Sequence, residues 1–589
     1  MAFRNLATGT NAYTDVHHTA YTLTTAGTEG TLALLPVFLD HVLYPTITDA
    51  GFVTEVYHVD GEGAEAGVVF SEMQAIENES GSVAYLALRK ALYPGACGYA
   101  METGGIMSLI RSLTVEQIRE YHGAYYRPDN CFIVVAGKVQ TGELLSAVDK
   151  LAPKLADAAR HPPVGSLPRP FTEHPVPELA ASEDIEVEFP ADEEDSGCVM
   201  IGWRAHQFGH FGRSLALNIL HAYLTESELS VLHSHFVEGS EGEEGVCAGV
   251  SCGLCENGHT FHYVSFDAVR SSAIAGIKAS LIAVLQELCA KGLDMARMAT
   301  IMHRFHIRHL NALEDSPHDT LAHYITLSLL FGREPEDAGR KLRSVFSGDA
   351  MTPLQAWTSD EWVALLKESM LEAPMVCVRA VPSAARAAQL AKLEEERLAA
   401  CTESLGKEGL QKLQDVLDEA METNDTACPD GVLSGFAVPS VQCISLIPVQ
   451  TAVYPPEAAA ARQAQVDQAL AHFAARHTLA PGHQAGCLHS LAEQLDQLSA
   501  AKAGGQAPIT RQQIEALPVF VQLDNVPSDF VELRVVMSTE DLTQDQRAYL
   551  ELYLEAAFSL PVRRGPHQHS SVLSLLSHCS LPQGMIVAI

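Results

Sequence analysis

A helix, a turn and a strand follow one another in the stretch Leu113-Thr-Val-Glu-Gln-Ile-Arg-Glu-Tyr-His-Gly-Ala-Tyr-Tyr-Arg-Pro-Asp-Asn130 and then Cys131-Phe-Ile-Val-Val-Ala136. Thr114 followed by Gln117 has the pattern of a capping box and predicts that a helix begins there. The continuous apolar run that ends before Gly137 predicts a buried strand. A helix joined to a buried strand by a short turn indicates an α+β layer.

The preceding residues continue this layer. Residues 10–26 are rich in Thr and Tyr and predict extended structure, whereas residues 30–43 and 64–92 have apolar residues at helical spacing. Within the second predicted helix Glu65, Glu72 and Glu79 would share one face, because seven residues make about two turns. A carboxylate among bulky apolar neighbours needs a cation or strong hydrogen bonds, although a solvated helix face explains the same pattern.

A second α+β unit follows a Pro-rich stretch. It is predicted to contain strands at 185–189, 198–203, 259–267 and 375–380, with helices at 214–224 and 273–291. The predicted fold class is therefore α+β, with tandem domains that each have a mostly antiparallel sheet and helices packed on one face. We expect a first domain at 1–152, a linker at 153–180, a second domain at 181–383, a helical connector with an Ala/Gln-rich insertion at 384–515, and the start of a third domain at 516–589.

Composition narrows the possible partners. With 73 acidic and 38 basic residues the formal charge is −35, and such a negative surface repels phosphate backbones and anionic lipids. We expect no nucleic-acid partner and no membrane partner, since no apolar run is long enough to span a bilayer. The 13 scattered cysteines and the lack of a leader predict a cytoplasmic protein. An organellar location stays open, because the chain opens directly into strand-like sequence and is expected to be a fragment.

Three other groups of residues could carry chemistry. His303, His306 and His309 recur at helical spacing, but intervening arginines and no acidic partner at ligand spacing favour a surface helix. Cys247, Cys252 and Cys255 lack a nearby fourth ligand, so we expect ordinary thiols. His17 and His18 are adjacent, and alternation along a strand would direct their rings to opposite faces.

Four segments together resemble, in order and spacing, the first domain of the insulinase-like (pitrilysin, inverzincin) zinc metallopeptidases, with the large eukaryotic branch most similar. They are Thr10-Asn-Ala-Tyr-Thr-Asp-Val-His-His-Thr-Ala-Tyr21, the Glu65/Glu72 pair, Leu92-Tyr-Pro-Gly95 with Gly98-Tyr99 and Glu102-Thr-Gly-Gly105, and Tyr125-Tyr-Arg-Pro-Asp-Asn130. The resemblance is specific over about the first 140 residues and weaker to about residue 560.

The resemblance implies a zinc site that this sequence does not complete. In the family, two histidines of a His-x-x-Glu-His motif and a later glutamate hold the metal; Glu72 matches the third ligand and Glu65 matches the acidic residue that supports the site. The motif would lie before Met1, so we expect that the chain does not retain zinc. Asn11, Ala12 and Thr14 match the strand along which a peptide substrate adds.

The resemblance thus implies a metalloendopeptidase-family protein that acts on peptides or unfolded segments and is inactive as written. It also implies a chain truncated at both ends, for which a complementary C-terminal half is a candidate partner. The alternative is a non-catalytic homologue that serves as a scaffold, regulatory or peptide-binding subunit. The sequence leaves open whether this chain is itself an enzyme.

Overall fold

The computed structural model describes residues 2–429 except Ala96, 158–175, 240–243 and Pro335. Beyond residue 429 it describes 431–432, 435, 438–440, 444, 450–454, 489–490, 521–525, 528–530, 542–550, 562–564 and 568–570. The chain divides into two compact units, Met1–Ile444 and Ser445–Ile589. The Pro-rich part of the predicted linker and most of the predicted insertion and third domain lie outside the described residues, so the predicted domain boundaries stay predictions.

The first part of the chain is mainly helical, with two small hairpins. Strands β1 and β2 pair antiparallel, as do the two-residue strands β3 and β4. The elements in chain order are β1 (Ala7–Thr14), β2 (Thr19–Thr25), α1 (Thr28–Leu43), α2 (Asp49–Glu55), β3 (His58–Val59), β4 (Glu65–Ala66), α3 (Val68–Ile76), α4 (Ser80–Leu92), α5 (Met107–Ile110), α6 (Val115–Tyr125), α7 (Thr141–Asp149) and α8 (Ala152–Leu155).

A five-stranded sheet organises the next part of the chain, in the order β5-β9-β6-β8-β7. Its strands are β5 (Glu183–Pro190), β6 (Ser196–Gln207), β7 (Gly249–Cys255), β8 (His259–Arg270) and β9 (Met375–Ser383). Only the β5–β9 pair is parallel, and the other three pairs are antiparallel. This mostly antiparallel sheet with packed helices confirms the predicted α+β class.

The helices of this part come between and after the strands. They are α9 (Phe211–Thr225), α10 (Val231–His233), α11 (Ile277–Lys291), α12 (Met295–Asp315), α13 (Pro317–Phe331), α14 (Asp337–Phe346), α15 (Gly348–Gln355) and α16 (Ser359–Leu366). Val199, Ile201 and Trp203 of β6 point to a large core that also contains apolar residues of α9, α11, α12 and α16. Successive strand residues face opposite sides, so the alternate residues of β6 serve a second core.

Helix α4 covers the other face of this sheet. Leu88 and Leu92 pack against Met200 of β6 and Val378 of β9 in one buried cluster. Gly202 permits the close approach, because a Cβ atom there would lie 3.0 Å from Cδ1 of Leu88. A helix from the first predicted domain is therefore part of the sheet's own core.

The predicted helical connector is a long helix, α17 (Ala384–Asn424), interrupted at Gly406, whose φ of 59° is non-helical. It contacts α2, β3 and β5. Among the described residues, no helix is both long and apolar enough to cross a membrane.

The second unit is described only in short pieces. Strand β10 (Gln450–Tyr454) pairs parallel with β11 (His489–Ser490) and antiparallel with β12 (Val521–Asn525). A short helix α18 (Gln544–Arg547) and a hairpin of β13 (Val562–Arg564) and β14 (Gln568–Ser570) follow.

Two local predictions were wrong. Residues 131–136 form no strand, and Phe132 and Ile133 are 44% and 46% exposed. No described strand pairs with this run, and a strand without a partner leaves its backbone groups unpaired. The predicted helix at 64–92 is in fact β4, α3 and α4. Gly67 has a φ of 132° before α3, and Glu79 is extended before α4.

Candidate functional site

Glu65 is a buried carboxylate held by two arginines. Its side chain is 10% exposed and lies 2.6 Å from Nε of Arg111 and 2.7 Å from a terminal nitrogen of Arg397 on α17. The Tyr57 hydroxyl donates to Oε1 of Glu65 at 2.8 Å. Burial alone would raise the pKa of Glu65, but the hydrogen bonds from Arg111, Tyr57 and Arg397 outweigh it and hold the pKa below its usual value. Glu65 therefore joins the first part of the chain to the long helix.

Glu72 has a different environment, since it is exposed on α3 while the next residue, Met73, is buried. The two glutamates do not share a helix face, because Glu65 lies in β4, before the chain reversal at Gly67. A Cβ atom at Gly67 would lie 2.5 Å from the Val56 carbonyl oxygen, so the reversal requires glycine. Within the described part of the chain Glu72 has no hydrogen bond or ion pair.

The fit of zinc at Glu72 can be tested against the donor atoms nearby. A catalytic zinc ion needs three protein ligands. Across the described residues, the group of three potential ligands that lie close together is Asp15, His17 and His18, and it does not include Glu72. The donor set at Glu72 does not fit a zinc centre, and the assignments of Glu72 as a ligand and Glu65 as its support stay predictions.

Asn11, Ala12 and Thr14 lie on β1 as the sequence predicts, and all three are exposed. Strand β1 pairs with β2 on one side, and no other described strand pairs with it. The Ala12 N–H donates to Oδ1 of its neighbour Asn11 at 2.9 Å. The Asn11 carbonyl oxygen accepts from the Thr22 hydroxyl of β2 at 3.2 Å. The hairpin therefore presents one open edge whose Ala12 donor is satisfied by a neighbouring side chain.

Asp15, His17 and His18 lie in the turn between β1 and β2, so the expectation that strand alternation separates the two rings was wrong. The rings are stacked with centroids 4.9 Å apart, and the two Nδ1 atoms are 2.9 Å apart. The His17 ring also makes a T-shaped contact with the ring of Phe331 on α13, with centroids 4.7 Å apart. Burial lowers the pKa of His17 to about 4, with Asp15 opposing and His18 reinforcing the shift. The His17 imidazole is therefore neutral at pH 7.

The other two groups carry no ligand set in the described residues. His309 lies on α12 with Nδ1 2.8 Å from the Phe305 carbonyl oxygen, and no three-ligand group includes it. Cys247, Cys252 and Cys255 are free thiols on or before β7. Burial raises the pKa of Cys252 to about 12, so this thiol is protonated at pH 7.

A cavity of about 650 Å³ between α9, α12 and α13 has no signature in the sequence. Its polar lining includes Glu226, Arg308, His309 and His323. Arg308 lies 2.6 Å from Glu226, whose side chain is 8% exposed. These residues are distant in sequence, and only the packing of three helices brings them together.

Comparisons with known proteins place the chain in a family. Residues 112–305 match the family model described as the peptidase M16 inactive domain. The chain is 29% identical over 570 residues to an uncharacterised protein of Caenorhabditis elegans, covering 95% of this chain and 51% of that protein. It is 32% identical over 446 residues to an uncharacterised protein of Schizosaccharomyces pombe, covering 75% and 42%. The chain thus spans about half the length of these relatives, or less.

More distant matches agree with this assignment. The mitochondrial presequence protease of Xenopus laevis is 23% identical over 319 residues, covering 52% of this chain and 30% of that protein. A protease structure from Helicobacter pylori has a TM-score of 0.51 at 17% identity, covering 65% of this chain and 83% of that one, and it shares the fold. The sequence motifs, the α+β architecture and these matches lead to one conclusion: the chain belongs to the insulinase-like (M16) peptidase family.

Proposed function

We propose that this chain is a peptide-binding part of an insulinase-like peptidase and does not cleave peptides by itself. The observation that carries the proposal is the open edge of β1, where exposed residues flank the Ala12 N–H. An extended peptide adds to such an edge through main-chain hydrogen bonds, which accept many sequences. The formal charge of −35 favours cationic peptides, because unlike charges steer association.

The absence of cleavage is proposed from the surroundings of the two glutamates. Glu72 belongs to no group of three potential zinc ligands among the described residues, and Glu65 is engaged by Arg111 and Arg397. The family is zinc-dependent in general, and a bound zinc ion would activate water for peptide hydrolysis. The donor set at Glu72 does not fit that ion.

Ala12 provides a sharp test of peptide binding. Ala12→Pro removes the N–H at the open edge, whereas the control Ala12→Val keeps it and suits a strand. With a fluorescein-labelled cationic peptide, anisotropy should give about 5- to 13-fold weaker binding for Ala12→Pro and unchanged binding for Ala12→Val, since one hydrogen bond contributes about 1 to 1.5 kcal/mol. Equal affinity for both variants, or no binding by the parent chain, would exclude the β1 edge as the peptide site.

Cleavage is tested separately by incubating unlabelled peptide with the chain and zinc, followed by mass spectrometry. We expect intact peptide with or without a chelator. Chelator-sensitive products that disappear in Glu72→Gln would show that Glu72 belongs to a working metal centre.

The second candidate function is a scaffold or regulatory subunit. It is favoured by the match of residues 112–305 to a domain described as inactive. A scaffold would retain its protein partners in Ala12→Pro, whereas a peptide receptor would lose its peptide, so the same variant separates the two functions.

We propose a reducing compartment for the protein, and the cytoplasm in particular. The ten cysteines whose state the structure gives are free, including the exposed Cys131 and Cys428. Fractionation of cells that express the protein tests this location. Recovery of the protein with mitochondria would contradict it and would agree with the mitochondrial presequence protease among the relatives.

A further inference from the structure

The turn between β1 and β2 brings together three side chains that can bind metal ions. Asp15, His17 and His18 each offer one ligand atom, and these atoms all lie within 4.8 Å of one another. The Nδ1 atoms of His17 and His18 are 2.9 Å apart, and Nε2 of His17 is 3.7 Å from Oδ2 of Asp15. One turn of the chain therefore brings two imidazoles and a carboxylate close together.

A second observation concerns the outer nitrogen of His18. Its Nε2 atom is buried and has no hydrogen-bond partner among the described residues. A buried polar atom without a partner is costly, and such atoms usually bind a neighbouring group, a water molecule or an ion. Rotation of an imidazole about its χ2 angle exchanges the positions of its nitrogens and carbons, so either nitrogen can face the centre of the cluster.

We propose that Asp15, His17 and His18 form a binding site for a divalent cation of the zinc class. Two imidazoles with one carboxylate suit zinc, cobalt or nickel, whereas calcium and magnesium prefer oxygen ligands alone. A tetrahedral zinc ion with bonds of about 2.0 to 2.1 Å separates neighbouring ligand nitrogens by about 3.3 Å, so the two rings need to part by about 0.4 Å. The half-exposed Asp15 carboxylate can turn to complete the set.

This site is separate from the zinc centre that the family implies at Glu72. Its three ligands come from one turn, so it needs no other part of the protein. A bound ion would fix the end of the hairpin that carries the open β1 edge, and the contact of His17 with Phe331 would link that end to α13. The proposal does not depend on peptide binding, because the metal is measured without peptide.

The test uses the complete 589-residue chain after removal of metals by a chelator and gel filtration. Zinc ions alone are titrated in competition with a chromophoric chelator, and cobalt ions give an absorption spectrum that reports nitrogen and oxygen ligands. We expect one tightly bound zinc ion per chain, with affinity lowered more than about 100-fold in His18→Ala, since even the loss of a residue that only orients a ligand costs about 10- to 100-fold. Asp15→Asn, which keeps the shape of an exposed side chain, should also weaken binding.

Two control variants locate the ion. His303→Ala removes an exposed histidine of α12, and Glu72→Gln removes the family's predicted ligand; both should leave zinc affinity unchanged. Circular dichroism of each variant, together with a rise in melting temperature on zinc addition in the parent chain but not in His18→Ala, separates loss of the site from loss of folding. No bound zinc, full binding in a His17→Ala/His18→Ala double variant, or loss of binding in Glu72→Gln would each overturn the proposal.

Discussion

Two apolar runs that both have a strand-like pattern form different structures. Residues 198–203 form the middle of β6, with β8 and β9 on either side and a core on each face. Residues 131–136 are irregular and mostly exposed, and no described strand pairs with them. A β-strand satisfies its backbone groups only through its neighbours, so an apolar run is a strand only where partners exist. The difference shows that the apolar pattern predicts only that a segment can pair as a strand. Whether it pairs depends on the presence of neighbouring strands.

The largest expected effect is on the free energy of unfolding, when a buried residue of the sheet is truncated. A residue of the unpaired run 131–136 serves as the comparison. Phe266→Ala removes a fully buried ring and should lower the free energy of unfolding by about 3 to 5 kcal/mol. Ile133→Ala alters a side chain that is 46% exposed and should cost less than about 0.5 kcal/mol. Urea denaturation monitored by fluorescence measures both. A large effect of Ile133→Ala would mean that residues 131–136 are packed in solution, and the contrast would fail.

The second largest effect on the free energy of unfolding is expected at α4, the helix of the first part of the chain that packs on the sheet. Leu88→Ala should cost about 3 kcal/mol, because Leu88 is fully buried between α4 and β6. Hydrogen exchange should then show faster exchange in β6 and β9 as well as in α4. Ile76→Ala on α3 is the control, since Ile76 is 42% exposed. If only α4 exchanges faster, the helix and the sheet do not unfold together.

A smaller effect is expected from the carboxylate that joins the first part of the chain to α17. Glu65→Gln leaves Arg111 without its anion and leaves Arg397 paired with Glu394 alone, and it should cost about 2 to 3 kcal/mol, whereas Glu72→Gln should be neutral. Because the folded-state pKa of Glu65 lies below its usual 4.5, its contribution is present above about pH 4.5 and is lost as the pH falls through the folded pKa. Denaturation at several pH values should therefore show the Glu65→Gln deficit shrinking in acid. A deficit that does not change with pH would contradict this ionic origin.

The smallest effect is a pH dependence of stability that arises from two histidines buried in the core of the sheet. His221 and His262 are both buried, with Nε2 of His221 3.1 Å from Nδ1 of His262. Burial lowers the pKa of His221 to about 4 and that of His262 well below 6.5. The unfolded chain binds protons near pH 6.5 and the folded chain does not, so stability is present above that pH and is lost as the pH falls toward 4. Between pH 7 and 5.5 we expect a loss of about 1 kcal/mol per histidine.

Melting temperatures across this pH range measure the loss for the whole protein. His221→Phe keeps a ring in the core and removes one titrating group, so its stability should fall less steeply with pH. An equal slope for the variant and the parent chain would mean that the histidine pair is already charged or exposed.

The α+β class, the family and most individual elements of the sheet-containing part could be predicted from the sequence alone. The capping box at Thr114 and Gln117 begins α6 as predicted, since both of its hydrogen bonds are local. The strands at 185–189, 198–203, 259–267 and 375–380 all lie within observed strands, because alternating or continuous apolar runs mark positions that face a core. Asn11, Ala12 and Thr14 also lie on a strand as predicted, although they are exposed, because the Thr- and Tyr-rich stretch that contains them favours extended structure.

The contacts between distant segments became known only from the three-dimensional structure. It separated Glu65 from Glu72 at Gly67, joined Glu65 to Arg397 across 332 residues, and brought His17 and His18 together in a turn where the sequence predicted opposite faces. It also placed α4 on the sheet and left residues 131–136 without a partner. Local patterns record what each segment can bury or bond, whereas long-range contacts depend on the shape of every other segment, and no short stretch of sequence contains that information.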